Sequence, residues 1–391
     1  MAQDKNRKTL NVPPLRFPGF TDEWKEYSID EIANIYGRIG FRGYTSADLV
    51  EKGNGAISLS PSNITNNQLY TDKDNTYISF YKYEESPEIK IFVGDVIFVK
   101  TGSTVGKVAY VDYLECEATL NPQLVVFKDI KCDNYLFSQI LATTKIQQRV
   151  SKITVGGAVP TLSQTELGKV RLFLPGNQEQ SKIATLLSLI EKRIYAQNKI
   201  IEDLKKLKSV IRKKLFANLK NLPTEYIEIG ELLNYEQPSE YIVASDEYIS
   251  DITKIPVLTA NKGFILGYTE EQFGVYSKGD CIIFDDFTMD AKYVTFPFKV
   301  KSSAIKILTA KSNVNLRFMF EYLQSMDLKS EEHKRHYISE IATLVVAIPM
   351  IEIQNHIACI IGSIDRKLAI EQQIAKEYEL EKLYFLSNIF I

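Results

Sequence analysis

VRLFLPGNQEQSKIATLLSLIEKRI (170–194) and LVVAIPMIEIQNHIACIIGSIDRKL (344–368) fall on one another when the chain is slid by the distance from Pro175 to Pro349, 174 residues, and the register then holds to residue 391. Self-similarity over so long a distance marks a duplication, and a duplication decides the architecture before any local motif does. From 166 to 216 nine of 51 gapless positions are identical, where composition alone would give about 3. They are Glu166/Glu340, Pro175/Pro349, Gln180/Gln354, Ile183/Ile357, Ala184/Ala358, Ile190/Ile364, Ile200/Ile374, Lys208/Lys382 and Phe216/Phe390. The preceding segments echo each other more weakly: Ile29-Asp30-Glu31-Ile32 resembles Ile229-Gly230-Glu231-Leu232, and Gly94-Asp95 resembles Gly279-Asp280. Two lobes of different length therefore end in the same kind of tail.

Each tail reads as a long helix. In the first, Ile183, Leu187, Ile190, Ile194, Ile201, Leu204, Leu207, Ile211 and Leu215 recur at steps of three and four, with Gln197 the polar interruption. In the second, Ile357, Ile361, Ile364, Leu368, Ile374, Tyr378 and Phe385 keep a similar stripe, and Glu371 takes the place of Gln197. Runs of ~40 residues make helices of ~60 Å, far beyond the ~11 to 12 residues of an average helix, and such helices need a partner. Antiparallel pairing of one helix with its copy, as a coiled-coil spacer about a pseudo-two-fold axis, satisfies both stripes. Residues 178–222 hold eleven Lys or Arg against four acids, whereas 353–391 hold four against five. Lys205, Lys206, Lys208, Arg212, Lys213 and Lys214 could thus face a phosphate backbone.

The lobes are β-rich. TYISFYKY, IKIFV, DVIFVK, KVAYV and PQLVVFK between 76 and 128 are strands punctuated by turn residues, and a helical pattern follows in NYLFSQILATTKIQQRV. The second lobe repeats the order with YSKGDCIIFDDF, AKYVTFPFKV and SSAIKIL, then NLRFMFEYLQSM as helix. The fold class is α+β: two β-rich domains, each followed by a long helix. The boundaries are an N-terminal segment 1–20, a first domain 21–177, a first long helix 178–222, a second domain 223–352 and a second long helix 353–391.

The 391 residues allow two or three globular units, and 45% apolar against 25% charged residues supports packed cores. With 47 basic and 49 acidic residues the net charge is -2, so a basic surface for nucleic acid has to be local. Cys116, Cys132, Cys281 and Cys359 form no CxxC pair, which argues against structural zinc and disulfides and fits a reducing cytoplasm. No apolar stretch approaches the ~18 residues of a membrane span, and MAQDKNRKTLNVPP is not a secretory signal.

Signals for catalysis are missing. Gly102-Ser103-Thr104-Val105-Gly106-Lys107-Val108 has three residues between its glycines and ends in valine, so it is not a phosphate-binding P-loop. Asn121-Pro122-Gln123-Leu124 lacks the second proline and the aromatic of an adenine-methyltransferase motif. His333 and His336, in EEHKRHY, have no zinc spacing and are expected at the surface. No metal site and no nucleophile with a readable base is expected, so the chain is taken as non-catalytic.

Taken together, Val12-Pro13-Pro14-Leu15-Arg16-Phe17-Pro18-Gly19-Phe20, the loop Thr101 to Lys107, Gly157-Ala158-Val159-Pro160-Thr161-Leu162-Ser163 and Leu174-Pro175 followed by Gln178-Glu179-Gln180-Ser181-Lys182-Ile183-Ala184 resemble the specificity (S) subunit of type I restriction-modification systems over the whole chain. The second copy, at Ile348-Pro349, continues with Ile351-Glu352-Ile353-Gln354 and has no Gly-Gly-x-x-Pro equivalent. The resemblance implies a DNA reader in a defence system against foreign DNA: two target recognition domains reading a split, asymmetric target in double-stranded DNA, with the helices fixing the gap. It implies two methyltransferase (modification) subunits carrying S-adenosylmethionine for adenine-N6 methylation, and two restriction subunits with ATP, Mg, translocation and nuclease activity. The cofactors would belong to those partners, with none in this chain. Rival readings are a fused methyltransferase or nuclease with unrecognised motifs, the specificity chain of a related bifunctional restriction enzyme, and a coiled-coil scaffold that binds only proteins.

For a DNA reader, Gly37-Arg38-Ile39-Gly40-Phe41-Arg42-Gly43-Tyr44-Thr45 offers Arg38, Arg42 and Tyr44 as donors for guanine edges or phosphate. Ser103, Thr104 and Lys107 could bind phosphate. In the second lobe Asn261, Lys262 and Phe264, with Asp286, Thr288 and Lys292, combine amide, base and acid suited to base edges.

Overall fold

The structure, a computed structural model, describes residues 11–38, 40–71, 75–157, 159–259, 263–328 and 336–391. The apolar runs of each lobe form a central antiparallel sheet. In the first lobe the strands Asn34–Gly37, Leu124–Lys128, Val96–Val99 and Val108–Tyr110 lie side by side in that order, and Gln68–Leu69 and Ile64–Thr65 extend the edge. In the second, Leu233–Glu236, Ile305–Ala310, Cys281–Asp285 and Ala291–Val294 repeat the same order and the same antiparallel pairing. The duplication therefore extends through the lobes, where little sequence identity remains.

These central strands read as continuous apolar runs because both of their faces are buried. Val96 and Phe98 face a core that includes Ile183 and Leu187 of the long helix, while Ile97 and Val99 face a second core with Ile57, Leu59 and Leu120. Likewise Ile282 and Phe284 share a core with Ile357 and Ile361, and Cys281 and Ile283 share another with Val294 and Phe298. Each lobe thus has an inner core on its helix and an outer core away from it.

A two-stranded ribbon leads into each long helix: Lys25–Ser28 pairs antiparallel with Arg171–Leu174, and Thr224–Glu228 with Val345–Pro349. The echoing Ile29–Ile32 and Ile229–Leu232 form matching single helical turns directly after the first ribbon strands. The segment NYLFSQILATTKIQQRV, expected as one helix, is two, Asn134–Ala142 and Thr144–Ile153. The break falls at Thr143, whose backbone is extended and whose hydroxyl donates to the Ile140 carbonyl at 2.7 Å, a local bond that competes with the helix.

The long helices run Asn177–Ala217 and Ile351–Ile389. Two compact units result, residues 1–196 with 375–391, and residues 197–374, so each helix contributes to both. In the first unit Glu191 pairs with Lys382, and Arg193 lies over the ring of Tyr378 at 5.8 Å. In the second, Lys208 reaches both oxygens of Asp365 at 2.6 and 2.8 Å, and the Gln197 amide donates to the Glu371 carbonyl at 3.1 Å and to its carboxylate. In both units residue numbers rise on one helix as they fall on the other, so the pairing is antiparallel. Ile183, Leu187, Ile190, Ile201, Ile357, Ile361 and Leu368 are buried, and Ile194, Leu204, Ile364 and Ile374 are half-buried. Leu207 departs from the expected stripe and is 49% exposed, because Lys208 takes the inward position on that turn and spends its stem as packing. Among the described residues no helix is long and apolar enough to cross a membrane.

The repeated identities have structural reasons. Gln180 donates to the Pro175 carbonyl at 2.9 Å and accepts the backbone N–H of Asp133 at 3.0 Å. Gln354 donates to the Pro349 carbonyl at 2.9 Å and accepts the backbone N–H of Asn315 at 2.9 Å. Asp133 and Asn315 are the N-caps of the lobe helices Asn134–Ala142 and Leu316–Ser325. One buried glutamine thus ties ribbon, long helix and lobe helix together in each copy. Phe216 and Phe390 end the long helices in matching ways: Phe216 packs on Phe318 and Tyr322 in the second unit, and Phe390 on Trp24 in the first.

Replacing Gln354 by alanine leaves a buried carbonyl and a part-buried N–H unpaired, at up to ~1 to 3 kcal/mol each. Gln354→Ala is expected to lower the unfolding free energy by about 2 to 4 kcal/mol in urea titration, and Gln180→Ala by a similar amount; equal stability of both variants and the parent would remove the clamp from the account.

Candidate nucleic-acid interface

In the first lobe the chain leaves the strand Asn34–Gly37 at Arg38, which is 4% exposed and turned inward. Its guanidinium donates to the Leu120 carbonyl at 2.8 Å, to the Thr119 hydroxyl at 3.0 Å and to the Arg42 carbonyl at 3.2 Å, with the Tyr44 ring 5.4 Å away. Burial lowers its pKa from the ordinary arginine value. Arg38, expected as a donor to DNA, is therefore committed to internal acceptors and shapes the loop instead. Arg42, on that loop, keeps 39% of its side chain exposed and approaches Glu88 at 3.4 Å. Tyr44 is half-buried and its hydroxyl accepts from Ser58 at 3.0 Å.

The loop Thr101 to Lys107 joins the hairpin strands Val96–Val99 and Val108–Tyr110. Gly106, at a φ of +99°, fits only as glycine: a Cβ there would stand 2.2 Å from the Gln147 side chain, which donates to the Gly106 carbonyl at 2.8 Å. Ser103 is exposed, Thr104 half-buried, and the Lys107 ammonium donates to the Ile64 carbonyl at 3.3 Å. Gly102 donates its N–H to the Pro160 carbonyl at 2.9 Å, and Thr101 bridges Thr161. The two sequence motifs, Thr101–Lys107 and Gly157–Ser163, thus form one ridge with Val155 and Val159 exposed on it. The sequence reading missed Lys100, half-buried at the base of this ridge, whose ammonium pKa is lowered by burial. Its signal was the apolar run DVIFVK, whose burial continues into the first charged residue.

In the second lobe Asn261 and Lys262 lie outside the described residues. Phe264 is half-buried against Phe296, with ring centroids 6.4 Å apart. Asp286 is 2% exposed: it accepts the backbone N–H groups of His336 and Tyr337 at 3.1 and 2.8 Å and lies 3.4 Å from the buried Lys306 ammonium. Its carboxylate is spent inside the lobe and is not open to a base edge. Thr288 is exposed on the turn capped by Asp285, and Lys292 is half-buried on the strand Ala291–Val294. His333 lies outside the described residues, and His336, expected at the surface, is buried with Nδ1 2.8 Å from the Glu340 carboxylate. On the first long helix Lys205, Lys206, Lys213 and Lys214 are exposed, whereas Lys208 and Arg212 turn inward onto Asp365 and Glu321.

What emerges is a pair of β-rich lobes on antiparallel helices, with exposed polar loops on the first lobe and at Thr288 on the second, a scaffold of the kind that presents recognition loops. Comparison with known proteins agrees. The family model described as type I restriction modification DNA specificity domain matches residues 21–206 and again 221–380, and the chain belongs to this family. It is 37% identical over 177 residues to the type I restriction enzyme EcoR124I/EcoR124II specificity subunit of Escherichia coli, an overlap of 42% of this chain and 43% of that protein. It is 24% identical over 340 residues to the putative type I restriction enzyme MjaX specificity subunit of Methanocaldococcus jannaschii, covering 78% and 80%. The fold matches the crystal structure of a type I restriction-modification S subunit from M. genitalium, with a TM-score of 0.61 at 16% identity over 97% of this chain and 99% of that one.

Arg38→Ala and Asp286→Ala each strand buried partners and are expected to cost about 2 to 4 kcal/mol of stability in chemical denaturation. Ser103→Ala and Thr288→Ala touch exposed groups and should stay within about 0.5 kcal/mol of the parent. The reverse ranking would contradict the assignment of inner and outer residues.

Proposed function

We propose that this chain is the DNA-recognition subunit of a type I restriction-modification complex. Its two lobes act as target recognition domains, 21–177 and 223–352, and read the two halves of a bipartite, asymmetric target. The observation that carries the reading is the repeat of one four-stranded core in two lobes with unlike surface loops, matched twice by the specificity-domain model. Unlike loops on like scaffolds suit two different half-sites. The paired helices, expected at 178–222 and 353–391 and running Asn177–Ala217 and Ile351–Ile389, act as a spacer that sets the gap, since major-groove faces recur on one side of DNA every ~34 to 36 Å.

Within the first lobe, Arg42, Tyr44, Ser103, Thr104 and Lys107 are the groups proposed to meet DNA, with Lys100 added. A half-desolvated ammonium is relieved by an incoming phosphate or guanine edge. In the second lobe Asn261, Lys262, Phe264, Thr288 and Lys292 fill that role. Phosphate contacts position the protein and base contacts specify the sequence. The near-neutral charge of -2 fits a reader whose partners share the phosphate contacts.

Methylation of adenine N6 and DNA cleavage fall to partners: two methyltransferase subunits carrying S-adenosylmethionine, and two restriction subunits using ATP and Mg. Exposed apolar side chains on the helical stretches of each unit support docking of partner subunits. Ile200, Leu207, Val210 and Ile370 are exposed in the second unit, and Leu380, Leu383 and Tyr384 in the first.

The test is co-expression with the neighbouring methyltransferase gene in a methylation-free host, with modified adenines mapped by single-molecule sequencing. A bipartite motif with a fixed gap, lost when this chain is omitted, is the expected result; methylation unchanged without the chain would end the proposal. Inserting ~4 residues, about one turn, into the first long helix is expected to widen the tolerated gap and leave both half-sites unaltered. Altered half-site bases in the same map would count against the spacer.

A further inference from the structure

The two places where a lobe helix meets the long helices can be compared residue by residue. The long helices correspond at 174 residues, and the lobe helices, through their N-caps Asp133 and Asn315, at 182. In the second unit Glu321, on the lobe helix, is fully buried. It accepts from Arg212 of the first long helix at 2.7 Å and from Arg317 at 2.9 Å, and it lies 3.4 Å from Lys208. Lys208 and Arg317 also hold Asp365 of the second long helix. Five charges form one connected set.

In the first unit every one of these positions has its counterpart. Glu191 stands for Asp365 and Lys382 for Lys208, and they are paired again. The other three have changed together: Gln139 stands for Glu321, Tyr135 for Arg317 and Leu386 for Arg212. Gln139 is buried and reaches Glu191 at 3.5 Å; Leu386 packs against the inner core; Tyr135 stacks edge-on with Tyr110 at 5.5 Å. One acid and two arginines are present at one junction and replaced together at the other, so neither junction holds an orphaned buried charge.

We propose that these three positions are a seating code that determines which lobe each end of the helix pair accepts. The charged seat takes a lobe whose helix carries the Arg317 and Glu321 pair, and the neutral seat takes one carrying Tyr135 and Gln139. A neutral lobe on the charged seat leaves Arg212 without its carboxylate. A charged lobe on the neutral seat presents a buried glutamate to Leu386. Breaking a buried charge set by removing one member is far costlier than replacing the whole set. For a reader of an asymmetric target, the code keeps the two lobes from being interchangeable, a role whose stability test stands whether or not the DNA-reading proposal holds.

The test uses full-length chains and thermal unfolding. Glu321→Gln alone is expected to lower the midpoint by about 6 to 15 °C. The triple variant Glu321→Gln, Arg317→Tyr, Arg212→Leu, which writes the neutral code into the charged seat, is expected to recover at least half of that loss. In a second pair of chains residues 223–352 are replaced by a further copy of 21–177. The copy carrying Gln139→Glu and Tyr135→Arg is expected to melt at least ~5 °C higher than the unaltered copy. A triple variant no more stable than Glu321→Gln, or lobe copies that melt alike, would overturn the code. Should neither lobe-replaced chain fold, the comparison of Glu321→Gln with the triple variant decides alone.

Discussion

The register between the two long helices is the constraint on which the remaining structure rests. When a helix pairs antiparallel with its own duplicate, each contact has an equivalent with the roles exchanged. Glu191 with Lys382 and Asp365 with Lys208 are such equivalents, in the first and second unit respectively. Gln197 meets Glu371, the residue that stands 174 positions after it, so that contact is its own equivalent. A slip of the pairing would move the Glu371 carboxylate from the Gln197 amide onto apolar side chains, and a buried polar group of this kind fixes register at some cost in stability.

From that register the lobes follow. Each inner core is built on one stretch of long helix, and each glutamine clamp orients the ribbon and the lobe helix against it. Among the described residues the outer cores include no side chain of either long helix. In the first lobe the hairpin Ile64–Leu69 extends the edge of the central sheet, and Gln68 and Leu69 line a cavity with Ser181, Ala184 and Ser188 of the first long helix; among the described residues the outer sheet has four strands in the first lobe and three in the second. The lobes thus differ both in their outer strands and at the helix seat, where Gln139, Tyr135 and Leu386 stand for Glu321, Arg317 and Arg212.

The sequence exposed the duplication, the helices and most of the strands because these rest on periodic apolar patterns, which local composition carries; of the segments read as strands, TYISFYKY is a strand only over Thr76–Ser79 and turns helical at Phe80–Glu84, and IKIFV makes a single bridge from Ile91 to Ala118. Ile183, Leu187, Ile357 and Ile361 lay where the pattern put them. Individual side chains in loops were less legible. Arg38 stands among glycines and so read as exposed, yet it leaves the end of a strand beside the buried Thr119 and Leu120, a neighbourhood made by residues 81 and 82 positions away. Asp286 follows Asp285 in an apparent turn, but its acceptors serve the backbone of residues 336 and 337. Lys208 looked like one of a row of solvated lysines, and its inward turn depends on Asp365 and Glu321 on two other elements. Long-range partners of this kind leave no trace in local spacing.

The last turn of the second long helix closes the inner core of the first lobe, with Ile389 and Phe390 against Trp24 and the Leu15 N–H on the Asn388 carbonyl. On the ribosome the first lobe emerges while residues 197–374 are still to be made. At ~5 to 20 residues per second, it waits on the order of 10 to 40 s for the segment that seals it. Over that interval an apolar surface destined for residues 375–391 stays open to water, so the nascent first lobe carries an unsealed core until synthesis is nearly finished.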